Sequence, residues 1–265
     1  MPLIHHTRTG SGKPPIVFVH GFGCARSDWD NQVAFFSGRH ETVAVDLGGH
    51  GTTPGGPEHA RIDTHGADVA ALLNSLDLSP AVLVGHSMGC RVVLEAAALA
   101  PARTKGLVLV DGSRFGEAGS TAWQARAKAI ADKGYANFVK AAFDQMFGRD
   151  YDRASAEVII RRAMDRNPAI AGPLFVDIGR YDSSDMDRVL DAVSVPLLAI
   201  QTTMTKADGT RLPLAEGQTT PYLDGLRARV KGAKIEIIPD IGHFPQLERI
   251  AETNAMVEHF ISGLR

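Results

Sequence analysis

The chain has 265 residues, 44% of them apolar, with 28 Lys and Arg against 30 Asp and Glu and a formal net charge of -2. Charges of both signs are scattered and no nucleic-acid signature is present, and the two cysteines, Cys24 and Cys90, stand in no metal-like spacing and suggest no disulfide framework. No run reaches the roughly 18 apolar residues of a membrane span, and the opening MPLIHHTRTGSGKPP lacks a signal-peptide core. The expectation is therefore a cytoplasmic protein built on one domain with an insertion.

In chain order, 3–9 reads as a weak edge strand and 10–15 as a turn cluster. Ile16 to Val19 is a continuous apolar run, the pattern of a strand buried on both faces of a parallel sheet, and it ends in His20-Gly21-Phe22-Gly23. A helix is expected over 29–36, then a second buried run, Thr42 to Val45, ending in Asp46-Leu47-Gly48-Gly49-His50-Gly51. Over 62–76, Val69, Leu72, Leu73 and Leu76 share one helical face. Pro80 ends that helix.

Residues 81–86 form the next strand, and Gly85-His86-Ser87-Met88-Gly89 follows at its tip, with a helix over about 91–100. The chain must reverse sharply here. That strains Ser87 and needs small neighbours, which Gly85 and Gly89 provide. Ser87 is thus the candidate nucleophile, held above the sheet at the positive end of a helix. The fourth strand, 107–110, ends in Asp111-Gly112-Ser113. From 114 to 190 the pattern is helical throughout, with segments expected at 121–132, 135–147, 153–166 and 169–180. Strands resume at 195–200, a long polar loop covers 201–218, a helix spans 221–230, and the last strand, 235–238, leads to Gly242-His243-Phe244 and a helix over 246–264. Alternating strands and helices predict a doubly wound, mostly parallel α/β sheet. The 1–113 and 191–265 segments would form its core, with 114–190 a helical cap over the carboxyl ends of the strands, where ligands bind in such sheets.

A serine hydroxyl needs a base. Of the ten histidines, His243 follows the last strand on a glycine-containing loop and is free to reach Ser87. His20 and His50 read as holding their loops together, and the side chain of His86 should point away from Ser87. Asp46 reads as a turn residue, and Trp29 and Phe22 as core or pocket wall. Phe143, Met146, Phe147, Met164 and Phe175 are candidates for the walls contributed by the cap. Cys24 lies close enough to the first turn to be weighed as a reactive thiol. No metal-ligand cluster, phosphate loop or dinucleotide fingerprint is present, and no cofactor is expected.

The HGFG, DLGGHG, GHSMG and GHFPQLE stretches together resemble the α/β-hydrolase superfamily. The resemblance implies that the backbone N–H groups of Phe22 and Met88 form the oxyanion hole. It implies a third member, a carboxylate, behind His243. Most of the superfamily places that acid after the strand at 195–200, where this chain offers only Asp208, slightly late in a turn-forming Asp-Gly pair. The other position used is the end of the preceding strand, where Asp111 stands on a more rigid platform. Asp111 is preferred, with Asp208 the alternative.

The expected activity is that of a serine hydrolase acting on a small-molecule ester, lactone or activated amide through an acyl-enzyme on Ser87. The alternatives are a cofactor-free oxygenase or perhydrolase that uses His243 as base, and a slowly turning-over ligand receptor. The expected partner is a small-molecule substrate, with no nucleic acid or membrane, and the protein acts alone or as a homodimer.

Overall fold

The computed structural model describes residues 4–206 and 209–264. The elements follow in chain order as β1 (His6–Thr9), β2 (Ile16–Val19), α1 (Asp30–Phe36), β3 (Thr42–Val45), α2 (Ile62–Ser75), β4 (Ala81–His86), α3 (Met88–Leu99), β5 (Thr104–Val110), α4 (Trp123–Lys133), α5 (Tyr135–Phe143), α6 (Arg153–Met164), α7 (Pro168–Ser184), α8 (Met186–Asp191), β6 (Leu197–Gln201), β7 (Thr203–Thr205), β8 (Arg211–Pro213), α9 (Pro221–Arg229), β9 (Lys234–Ile237), α10 (Pro245–Glu248) and α11 (Ile250–Ser262).

The main sheet has seven strands in the order β1-β3-β2-β4-β5-β6-β9. β1 pairs antiparallel with β3 and every other pairing is parallel. The continuous apolar runs are buried on both faces, as expected. Val17, Val19 and Leu83 point into one core, while Ile16, Phe18 and Val84 point into the other with Trp29 and Phe36. The chain reverses its direction of travel across the sheet between β2 and β4, so the carboxyl ends of those strands flank a switch point where ligands bind in open α/β sheets.

Three expectations change. The 201–218 loop contains a short antiparallel hairpin, β7 against β8, with Thr203 facing Pro213 and Thr205 facing Arg211. Three-residue strands are too short to show a period. The helical block holds a fifth helix, α8, separated from α7 by Asp185. The last helix breaks at Arg249 into α10 and α11, because Arg249 leaves the helical region with φ -136° and ψ 60°.

Helices α4 to α8 lie between β5 and β6 in sequence and are fastened to the sheet by buried polar contacts. Arg91 of α3 donates from Nε and Nη2 to the two oxygens of Asp182 in α7, both at 2.7 Å, with the pair almost wholly inaccessible. Tyr181 Oη donates to Glu95 at 2.5 Å, and the Ile62 amide donates to Asp177 at 2.8 Å. The phenyl ring of Phe115 lies 5.5 Å from the Arg91 guanidinium carbon, and the Phe115 amide donates to Asp182 at 2.7 Å. Among the described residues no helix is long and apolar enough to cross a membrane.

Breaking one side of a fully desolvated ion pair strands the other charge, at a cost of about 3–5 kcal/mol. Asp182→Ala should therefore lower the unfolding free energy by about that amount in urea denaturation, whereas Arg91→Met with Asp182→Leu should recover most of the loss. An equal loss in the single and double variants would show that the stranded charge is not the cause.

Candidate active site

Ser87 stands between β4 and α3 with φ 55° and ψ -113°, a region that a residue with a side chain rarely occupies. The two flanking glycines leave room for it. A Cβ on Gly85 would lie 2.3 Å from the Gly89 carbonyl oxygen, and one on Gly89 would lie 2.5 Å from that of Val19. The turn is therefore packed against β2, and the Ser87 hydroxyl projects into a small cavity lined by Phe22, Cys24, Met88, Phe115, Phe143, Met146, Phe175 and His243 among others.

His243 reaches Ser87 from the loop after β9. Its Nε2 lies 2.8 Å from Ser87 Oγ, and its Nδ1 lies 2.5 Å from Asp111 Oδ2. With the Nδ1 proton directed at Asp111, Nε2 is free to accept the Ser87 hydroxyl proton. The histidine loop is braced on several sides. The His243 amide donates to the Met146 carbonyl at 2.5 Å, Thr202 Oγ1 donates to the Gly242 carbonyl at 2.7 Å, and the Gly148 and Gly242 amides both donate to Glu248 at 3.0 Å. His86 indeed points away from Ser87. Its Nε2 meets the His243 carbonyl oxygen at 2.8 Å.

Asp111 is fully buried, with φ 42° at the end of β5. The amides of Thr202 and Thr203 donate to its Oδ1, both at 2.8 Å, and Thr203 Oγ1 donates to Oδ2 at 2.5 Å. Arg211 Nη1 approaches Oδ2 at 3.3 Å and donates to Thr203 Oγ1 at 2.6 Å. The bond from His243, with the Arg211 charge and the Thr203 hydroxyl, outweighs burial and holds the carboxyl below its ordinary range. Asp208, the alternative acid, lies outside the described residues.

Arg211 was not anticipated from sequence. It sits on β8, and its Nη1 lies 3.1 Å from His243 Nδ1. Both nitrogens carry protons when Nδ1 serves Asp111, so this is a close approach of two donors, not a bond. Burial lowers the His243 pKa first and the neighbouring Arg211 charge adds to it; together they outweigh Asp111 and bring the imidazole down from 6.5 to about 4.

The remaining candidates fall as follows. His20 Nδ1 meets the Gly21 carbonyl at 2.7 Å, and its Nε2 accepts from the Leu47 amide at 3.1 Å, so it joins the two loops. The His50 ring packs against His20, and its Nδ1 meets the Gly48 carbonyl at 3.1 Å. Asp46 accepts from the amides of Arg26 and Thr52 at 2.8 and 2.9 Å, as a turn residue would. Burial and the neighbouring Asp28 raise the Cys24 thiol well above its ordinary value, so it is not a thiolate at neutral pH. Phe143, Met146 and Phe175 line the cavity, while Phe147 stacks on Phe244 behind His243, and Met164 packs against the core. Trp29 is core. Phe22 and Met88 line the same cavity, and their N–H groups have no acceptor among the described residues. No group of three metal-binding side chains occurs among the described residues.

The sequence model of the alpha/beta hydrolase family matches residues 16–256, nearly the whole chain. The chain belongs to the alpha/beta hydrolase family. It is 29% identical over 191 residues to 3-oxoadipate enol-lactonase 2 of Acinetobacter baylyi, covering 71% of this chain and 70% of that one. A shorter stretch of 99 residues is 44% identical to a non-heme chloroperoxidase of Streptomyces lividans, covering 37% of this chain and 36% of the relative. The crystal structure of an enol-lactonase from Burkholderia xenovorans LB400 superimposes with a TM-score of 0.80 at 23% identity, covering 98% of this chain and 96% of that one, and shares its fold.

Because the folded imidazole of His243 titrates at about 4, below its ordinary 6.5, it is neutral at pH 6. The unfolded chain takes up this proton more readily than the folded one, so the stability it confers is complete above 6.5 and is lost as pH falls toward 4. An NMR titration of the imidazole should show a midpoint near 4, and Arg211→Gln, by removing the nearby cation, should move that midpoint upward. An unmoved midpoint would show that Arg211 does not act on His243.

Proposed function

We propose that the protein is a serine hydrolase of small esters or lactones. The observation that carries this is the unbroken line from Ser87 Oγ through His243 to the buried Asp111, at 2.8 and 2.5 Å, beside two unengaged N–H groups. In this reading Ser87 Oγ attacks the carbonyl carbon while its proton passes to His243 Nε2. The carbonyl oxygen, now carrying the negative charge, is held by the N–H groups of Phe22 and Met88. Each such donor contributes about 3 kcal/mol to transition-state stabilisation. His243 then protonates the departing alkoxide, which in a lactone stays tethered through the acyl chain. Water, with His243 again as base, releases the acid and restores Ser87. Asp111 stays ionised throughout, orienting the imidazole and balancing its transient charge.

The depressed basicity of His243 suits a base that must be neutral when substrate arrives. Its proximity to Asp111 compensates once the proton is taken. The helices of 114–190 act as the cap of the 1–113 and 191–265 core, excluding water from the cavity over Ser87. The resemblance to an enol-lactonase over 71% of the chain favours a lactone or enol ester among the carboxylic esters.

Perhydrolysis is a second reading, favoured by the stretch that is 44% identical to a chloroperoxidase. Hydrogen peroxide would take the place of water on the acyl-enzyme, releasing a peracid and free Ser87. Peracid formation from an ester and peroxide, exceeding ester hydrolysis, would support it.

Ser87→Ala should abolish labelling by a fluorophosphonate and lower kcat/KM on an ester and lactone panel by at least on the order of 10³-fold. Asp111→Asn should leave the Ser87 side chain in place and cost on the order of 10⁴-fold in kcat, through the wrong imidazole tautomer. Undiminished turnover in Ser87→Ala would overturn the reading.

A further inference from the structure

Next to the Ser87 cavity lies a second one of about 350 Å³, bounded by Arg114, Phe115, Arg126, Phe138, Gln145, Phe175, Lys206 and Arg211 among others. The two share Phe115, Met146, Phe175 and Arg211 as walls. Four cations border the second cavity, and among the described residues no carboxylate does.

Most of this charge has a partner. Arg211 is engaged with Asp111 and Thr203, and Arg114 donates to Asp187 at 2.6 Å and to the Gly116 and Asp182 carbonyls. Asp182, the acid whose charge reaches Arg126, is already held by both guanidinium arms of Arg91 and by the Phe115 amide. Lys206 is exposed to solvent. Arg126 is different. Its guanidinium carbon lies 4.1 Å from the Phe115 ring centre and 5.3 Å from that of Phe175, in the wall of the cavity. Its Nη1 is buried with no hydrogen-bond partner, and no ion pair reaches the side chain among the described residues. The guanidinium thus lies against both rings at the border of the cavity. Burial, with the Arg91 and Arg211 charges, outweighs the attraction of Asp182 and lowers the pKa from 12.5 to about 10, so the group remains charged at neutral pH.

A largely enclosed guanidinium with no hydrogen-bonded acid is costly to keep, and an anion from outside the protein would offset that cost. We infer that Arg126 is the anchor of an anionic subsite, and that the ester or lactone hydrolysed at Ser87 carries a carboxylate on the part that extends past Phe115 and Phe175. The inference rests on the hydrolase reading for the position of the reacting carbonyl, but not for the anion site itself. Apolar contact with the two rings would hold the short carbon chain between carbonyl and carboxylate. Lys206 adds positive potential at the same cavity, which favours entry of an anion.

The test compares two p-nitrophenyl esters of glutaric acid, one with a free second carboxylate and one with that carboxylate capped as a methyl ester, each corrected for spontaneous hydrolysis. The wild-type protein should favour the charged ester. In Arg126→Gln the ratio of kcat/KM, charged over capped, should fall about 10- to 100-fold, the usual worth of one charge-assisted hydrogen bond. Arg126→Lys, which keeps the charge, should retain most of the ratio, and Arg126→Met provides the same comparison as Arg126→Gln in a side chain that packs well. A wild-type preference for the capped ester, or an unchanged ratio in the folded neutral variants, overturns the subsite. If neither ester is turned over, the hydrolase reading fails separately, and calorimetry with glutarate decides the subsite. Binding to wild type that weakens at least about 10-fold in Arg126→Gln supports it, and equal binding or none to wild type overturns it.

Discussion

A fully buried carboxylate, Asp111, governs how the site is assembled. Taking such a charge out of water costs several kcal/mol unless its lone pairs are filled. Asp111 meets five donor groups from three chain segments: the Thr202 and Thr203 amides and the Thr203 hydroxyl after β6, Arg211 on β8, and His243 after β9. Strand register makes this convergence unavoidable. β5 and β6 run parallel with Val110 beside Ile200, so the residues just beyond each strand meet at the same height. The small β7–β8 hairpin then has a clear purpose, since it carries both Thr203 and Arg211 to the same carboxylate.

The helices over the site depend on a second buried charge in the same way. Asp182 of α7 takes two bonds from Arg91 and one from the Phe115 amide, while Arg91 also donates to the Ser113 carbonyl at 2.7 Å. Arg91 belongs to the helix that begins at the candidate nucleophile. The wall residue Phe115 is therefore fixed relative to Ser87 through charged contacts that lose much of their worth if the geometry slackens. The ion pair adds to apolar packing a directional tie between α7 and α3.

The sheet and most of the site could be read in the amino-acid sequence because both rest on local signals. Runs such as Ile16–Val19 and Ala81–Val84 have no polar face and fit only a strand covered on both sides. Ser87 stood out because a strained turn demands glycines at fixed offsets, and His243 because it follows the last strand. Asp111 was preferred for the rigidity of a strand end, and the structure brings it to His243. Arg211 left no such trace. It lies in a three-residue strand, and its importance depends on the hairpin folding back onto β5, a contact between residues 100 positions apart. The break at Arg249 and the start of α8 at Asp185 were hidden for a related reason, as the apolar period runs on across both while the backbone does not.

Arg126 and Arg211 show why residue type by itself says little about a cavity. Arg211 is buried and Arg126 half-buried in the same wall, and sequence alone does not separate them. Their surroundings do. Arg211 lies against a carboxylate that it helps to keep ionised, so the pair adds no net charge to the cavity. Arg126 lies against two aromatic rings, whose faces stabilise a cation modestly and cannot neutralise it. The same geometry that leaves Arg211 spent on the protein's own machinery leaves Arg126 available to a ligand. Net positive potential beside the proposed oxyanion hole also acts in one direction on the chemistry, since the tetrahedral intermediate and a substrate carboxylate are both anions. A cavity that draws in the second without repelling the first must hold its cations close to both, and the shared Phe115–Phe175 wall sets the cavity bordered by Arg126 directly beside that of Ser87.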